Sequence, residues 1–67
     1  MMVSVNDKSL EVGDTTTLAQ LLDELGLNAS KGIAVAINDT VVPRSLWPTH
    51  CLAQGDQVLV IQATQGG

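Results

Sequence analysis

One stretch of this chain is spaced as a helix, and it dictates what the rest must supply. Leu18, Leu21, Leu22 and Leu25 fall at i, i+3, i+4 and i+7, a single apolar stripe on one helical face. In front of the stripe, Thr17-Leu18-Ala19-Gln20 matches a capping box, a hydroxyl at the helix start and an amide three residues on. Gly26 stands where a left-handed residue closes a helix. The spacing predicts a helix over about Leu18 to Leu25. Asp23 and Glu24 sit at the negative end of its dipole and are read as a solvated face, so tertiary packing must hold so short a helix.

The remaining segments read as strands. Val3 and Val5 alternate with Ser4 and Asn6 from Met2 onward, and Ser9-Leu10-Glu11-Val12 returns after Asn6-Asp7 as the second arm of a hairpin. Gly13-Asp14 ends it. Ile33, Val35 and Ile37 alternate with Ala34 and Ala36, Asn38-Asp39 repeats the earlier turn, and Val41-Val42 begins a short strand. Pro43 removes a backbone donor, so that strand must stop or lie at an edge. Ser45 to Leu52, broken by Pro48, reads as an irregular or single-turn segment. After the Gly55-Asp56 turn, Val58-Leu59-Val60-Ile61 is apolar on both faces within a last strand from Gln57 to about Ala63. Such a run belongs in the middle of a sheet. A hairpin, a helix, short strands and a central final strand parallel to the first describe an α+β fold. It is a mixed four- to five-stranded sheet with one helix on one face, the β-grasp arrangement of ubiquitin-like domains. The expected division is a domain over residues 1–63 and a flexible tail over 64–67.

Sixty-seven residues suffice for one domain and leave little core to carve into a deep substrate cleft. Three basic residues against seven acidic ones, net charge −4, argue against nucleic acid, which needs clustered Lys or Arg. Trp47 is the lone aromatic and offers no platform for stacking bases. No apolar stretch approaches a membrane span, and Met1-Met2-Val3-Ser4 lacks the basic and apolar segments of a signal peptide. Cys51 has no partner for a disulfide or a two-cysteine metal motif. The expected location is cytoplasmic.

A nucleophile–base set is not legible. His50 and Cys51 are neighbours whose side chains point apart in extended chain; Cys51 is read as a small buried or half-buried apolar residue and His50 as a solvent-facing loop residue. Trp47 is read as a packing anchor beneath the Ser45–Leu52 segment. Arg44 serves either a local hydrogen bond or a contact to a partner. What remains is the end of the chain, Gly66-Gly67. Glycine carries no branch at its α-carbon and can thread a narrow channel. A C-terminal carboxyl ionises at about pH 3.3–3.7, so at neutral pH it is an anion and a poor electrophile. To carry chemistry it must be activated by another protein, most simply as an acyl-adenylate. Thr64 to Gly67 reach roughly 13–14 Å when extended, at about 3.3–3.6 Å each.

Taken together, Thr17 with Leu21-Leu22, Ala36-Ile37-Asn38, Val42-Pro43-Arg44 with Trp47, Gly55-Asp56 before the apolar strand, and terminal Gly66-Gly67 resemble the ThiS family, the sulfur carriers of thiamine thiazole biosynthesis. The resemblance spans essentially the whole chain. Gln20 departs from the acidic capping partner common there, and the helix entry carries an additional threonine; neither touches the tail. The resemblance implies that the chain is a carrier rather than an enzyme and binds no cofactor itself. A ubiquitin-activating-like (ThiF-like) adenylyltransferase would use ATP and magnesium to adenylate the Gly67 carboxylate, with Gly66 recognised beside it. A cysteine desulfurase or other persulfide donor would supply sulfur to make a Gly67 thiocarboxylate, and a thiazole synthase (ThiG-like) would take it. Two other readings share tail and fold: the small subunit of molybdopterin synthase (MoaD-like), and a ubiquitin-like protein tag or interaction module.

Overall fold

The computed structural model describes residues 1–27 and 32–62. Its sheet is organised by two Asn-Asp pairs. Asn6 and Asp7 have φ of 50° and 69°, and Asn38 and Asp39 of 50° and 70°. Two consecutive left-handed residues make the hairpin turn whose twist matches its flanking strands, and Asn and Asp adopt that region at small cost. The first turn joins β1 (Met2–Val5) to β2 (Lys8–Glu11), with Val5 opposite Lys8. The second joins β3 (Ile33–Ile37) to β4 (Thr40–Val42), with Ile37 opposite Thr40. Between the hairpins lies β5 (Gln57–Gln62), parallel to β1 and antiparallel to β3, in the order β2-β1-β5-β3-β4. The expected mixed sheet, with its last strand central and parallel to its first, is observed. Asn6 belongs to the turn rather than to β1, and β2 starts at Lys8 and stops before Val12. The expected end of β5 at Ala63 lies outside the described residues. Pro43 follows β4, which is an edge strand, as a missing donor requires.

The helix α1 (Leu18–Glu24) begins at the capping box: the Gln20 N–H donates to Thr17 Oγ1 at 3.2 Å, and the Thr17 N–H donates to Gln20 Oε1 at 2.9 Å. Two more first-turn donors are met from far along the chain. The Leu18 N–H donates to the His50 carbonyl at 2.8 Å and the Ala19 N–H to the Trp47 carbonyl at 3.0 Å. At the other end Gly26 is left-handed, the Gly26 N–H donates to the Asp23 carbonyl and the Leu27 N–H to the Leu22 carbonyl, a Schellman closure. Leu18, Leu21 and Leu22 are essentially inaccessible. Leu25 corrects the sequence reading: it is the C-cap, 37% exposed, because the Gly26 reversal ends the helix before the stripe's fourth member can turn inward.

These leucines pack on Val3, Val5, Val35, Ile37, Val42 and Val58, which form one face of the sheet. Val12, Leu52 and Trp47 close the ends of that core. Trp47 is buried as expected, and its Nε1–H donates to the Val42 carbonyl at 3.0 Å, just after the 3₁₀ turn Arg44–Leu46. The indole thereby joins β4 to the segment that caps α1.

Candidate functional site

Gly66, Gly67 and the tail over 64–67, like the expected boundary at residue 63, lie outside the described residues. The structure describes the strand that leads into them. Along β5 the side chains alternate: Val58 is buried under α1 and Val60 is partly buried against the same core, whereas Leu59 and Ile61 project from the opposite face. No helix among the described residues covers that face. Leu59 is 48% and Ile61 55% exposed. The reading of β5 as a central strand holds in the lateral order, but its second apolar face is open.

Cross-strand register extends the apolar surface sideways. Ala36 sits between Leu59 on β5 and Val41 on β4, and Ala34 lies beside Ile61. Val41 is 68% exposed. The two alanines make a low floor between the larger side chains, so the surface is a shallow apolar trough, which a convex apolar group would fill. Toward β1 and β2 the same face turns polar, through Ser4, Ser9, Glu11 and Gln57. A hollow of about 160 Å³ there is lined by Ser4, Asn6, Asp7, Ala36, Asp39, Gln57, Val58 and Leu59. Its two carboxylates give that margin a negative character. The arrangement suits protein docking, and the described residues of this face include no nucleophile with an oriented base. Among the described residues no group of three His, Cys, Asp or Glu could hold a metal ion. No helix among them is long and apolar enough to cross a membrane.

Cys51 is exposed, contrary to the sequence reading. It forms an isolated bridge with Thr17, and alternation then sends the next side chain, Leu52, into the core while Cys51 faces out. His50 is half-buried, and its described contribution is the carbonyl at the helix start. Asp23 and Glu24 are exposed, as a solvated helix face should be. Arg44 makes a local contact: its guanidinium lies 5.0 Å from the Trp47 ring centroid, within cation–π range.

Sequence reasoning missed Val41, Leu59 and Ile61 as surface residues. The signal was present in the helix count: one helix shields one face, while β5 is apolar on two.

Comparison with known proteins places this architecture. The ThiS family profile matches residues 2–67. The sulfur carrier protein ThiS of Escherichia coli K12 is 36% identical over 67 residues, covering the whole of both chains. The crystal structure of the thiamine biosynthesis protein ThiS from Geobacter metallireducens superposes with a TM-score of 0.84 at 25% identity, again over the whole of both chains. SAMP1 from Haloferax volcanii shares the fold, with a TM-score of 0.63 at 16% identity over 98% of this chain and 97% of that one.

Proposed function

The chain belongs to the ThiS family, and on that premise we propose that it is a sulfur carrier of thiamine biosynthesis, loaded at Gly67. The observation that supports this reading is the match over residues 2–67, joined to 36% identity with a sulfur carrier across the full length of both chains. The chain is a cosubstrate and not an enzyme. A ubiquitin-activating-like adenylyltransferase docks on the open face of the sheet, around Val41, Leu59 and Ile61. That face lies on the strand that runs into the tail, and its apolar centre with a polar, acidic margin is the composition of a protein interface.

The Gly67 carboxylate attacks the α-phosphorus of ATP, held with magnesium in the partner, and pyrophosphate leaves. A sulfur nucleophile then attacks the acyl carbon: the C–S bond forms, the C–O bond to AMP breaks, and AMP departs with the electron pair. With hydrosulfide the product is the thiocarboxylate directly. With a persulfide from a cysteine desulfurase, a thiol reductant supplies two electrons to split the S–S bond of the acyl disulfide. A thiazole synthase then accepts the sulfur. Gly66 keeps the chain beside the reacting carbon thin enough to enter both sites.

Intact mass spectrometry of the chain after incubation with such an adenylating enzyme, ATP and sulfide tests the reading. Exchange of one oxygen for one sulfur at the C-terminus is the expected result. An unchanged mass, or a branched conjugate to a lysine, overturns it.

Two further outcomes follow from the described residues. Val41→Thr and Leu59→Thr each place a strand-favouring β-branched residue on the open face of the sheet, so the fold should persist while KM for the adenylating enzyme rises by about tenfold for the pair, the size of a lost hot spot. Steady-state ATP–pyrophosphate exchange reads it. Cys51→Ala should leave thiocarboxylate formation within about twofold of wild type, since an exposed thiol adds little to the core. Loss of the sulfur-loaded mass in a folded Cys51→Ala protein would place the thiol on the sulfur path.

A further inference from the structure

Each hairpin turn uses its asparagine twice. In the second turn the Asn38 N–H donates to the Gln57 carbonyl at 2.9 Å, while Asn38 Oδ1 accepts from the Gln57 N–H at 2.9 Å. Asn38 Nδ2 also donates to Asp56 Oδ1 at 3.0 Å. In the first turn the Asn6 N–H donates to the Val58 carbonyl at 2.9 Å. Asn6 Oδ1 accepts from the Val60 N–H at 2.8 Å, and Asn6 Nδ2 donates to the Val60 carbonyl at 3.3 Å. A parallel ladder continued past Val5 would bring a backbone carbonyl to the Val60 N–H. At that point the positive φ of Asn6 turns the main chain away. The side-chain amide, chemically a peptide group, takes the vacated place. Strand β1 ends, but the pairing of β5 does not.

The two asparagines grip different ends of one strand. Asn38 holds Gln57, the first residue of β5, and Asn6 holds Val60, close to Gln62, the last described residue of the strand. We infer that Asn6 is a positioning residue whose side chain fixes the tail-bearing end of β5 in the sheet through Val60. The kinetic part of this inference rests on the carrier reading; the structural part does not.

Asn6→Gly and Asn38→Gly separate clamp from turn, because glycine takes positive φ without steric cost. By amide hydrogen exchange, Asn6→Gly should speed exchange at Val60 about tenfold, and Asn38→Gly should do so at Gln57 and not at Val60. Asn6→Asp keeps the turn and an acceptor for the Val60 N–H but loses the Nδ2 donor, so it should fall between wild type and Asn6→Gly. In adenylation by a ubiquitin-activating-like enzyme, Asn6→Gly should lower kcat about tenfold with KM within about twofold, since misplacement penalises the reacting geometry and leaves the docking face intact. Asn38→Gly should leave both constants within about twofold of wild type, the range of a surface change. Unchanged exchange at Val60 in Asn6→Gly, or equal kinetic losses in the two glycine variants, overturns the inference. A wild-type chain that the enzyme does not adenylate overturns the carrier reading instead, and the exchange rate at Val60 then decides alone whether Asn6 holds the strand.

Discussion

A chain lacking Gly67 is expected to fold as the full-length protein does and to lose adenylation by at least about a hundredfold. Removing one residue draws the carboxylate back by about 3.5 Å. A misplacement of even about 1 Å at a reacting centre costs on the order of 10²-fold, so the truncated chain should be nearly inert. Gly67→Val retains the reach but sets a β-branched side chain beside the acyl carbon and narrows the backbone angles; it should fall almost as far. Neither change alters a residue of the described core, so thermal unfolding should move little. ATP–pyrophosphate exchange with the adenylating enzyme, paired with intact mass for the thiocarboxylate, measures the effect. Normal exchange by the truncated chain would end the assignment of Gly67.

The second large effect is on stability. Leu21 and Leu22 are 1% and 0% exposed beneath the sheet, and truncating either to alanine should cost about 2–5 kcal/mol. A domain of this length holds only about 3–5 kcal/mol in reserve, so each variant should be largely unfolded or on the edge of it at 25 °C. Leu25→Ala is the control within the same stripe. Its side chain is at the helix end and 37% exposed, so it should cost no more than about 1 kcal/mol. Urea titrations of the three variants decide the matter. Equal midpoints for Leu21→Ala, Leu25→Ala and wild type would mean that the stripe does not pack as described.

What was legible in the chain was whatever is decided by neighbours in sequence. The Thr17–Gln20 box, the stripe of Leu18, Leu21 and Leu22 and the two Asn-Asp turns each depend on residues within one helical turn or one hairpin, and all appear as read. Leu25 misled because the spacing that recommends it is blind to where Gly26 reverses the chain. Cys51 misled for a related reason: in a segment interrupted by Pro48 no periodicity tells which of Cys51 and Leu52 faces inward, and the bridge to Thr17 that decides it joins residues far apart. The open face of β5 was half legible, since a run apolar on both sides announces a central position without saying what covers it. The grip of Asn6 on Val60 spans 54 positions, and no local pattern carries it. Gly66 and Gly67 remain readings of sequence and family.

The carbonyls of Trp47 and His50 that meet the first N–H groups of α1 bear on the order in which the molecule can assemble. A seven-residue helix does not persist alone in water, and here its start also waits for donors' partners some thirty residues downstream. The centre of the sheet arrives later still, because β5 is the last of the described strands and both hairpins lie apart until it enters between them. Folding therefore depends on closures between residues far apart in sequence, which favours a slow, all-or-none transition. A nascent chain that stops before residue 57 has no middle to its sheet, and its helix has only two separate hairpins to pack on.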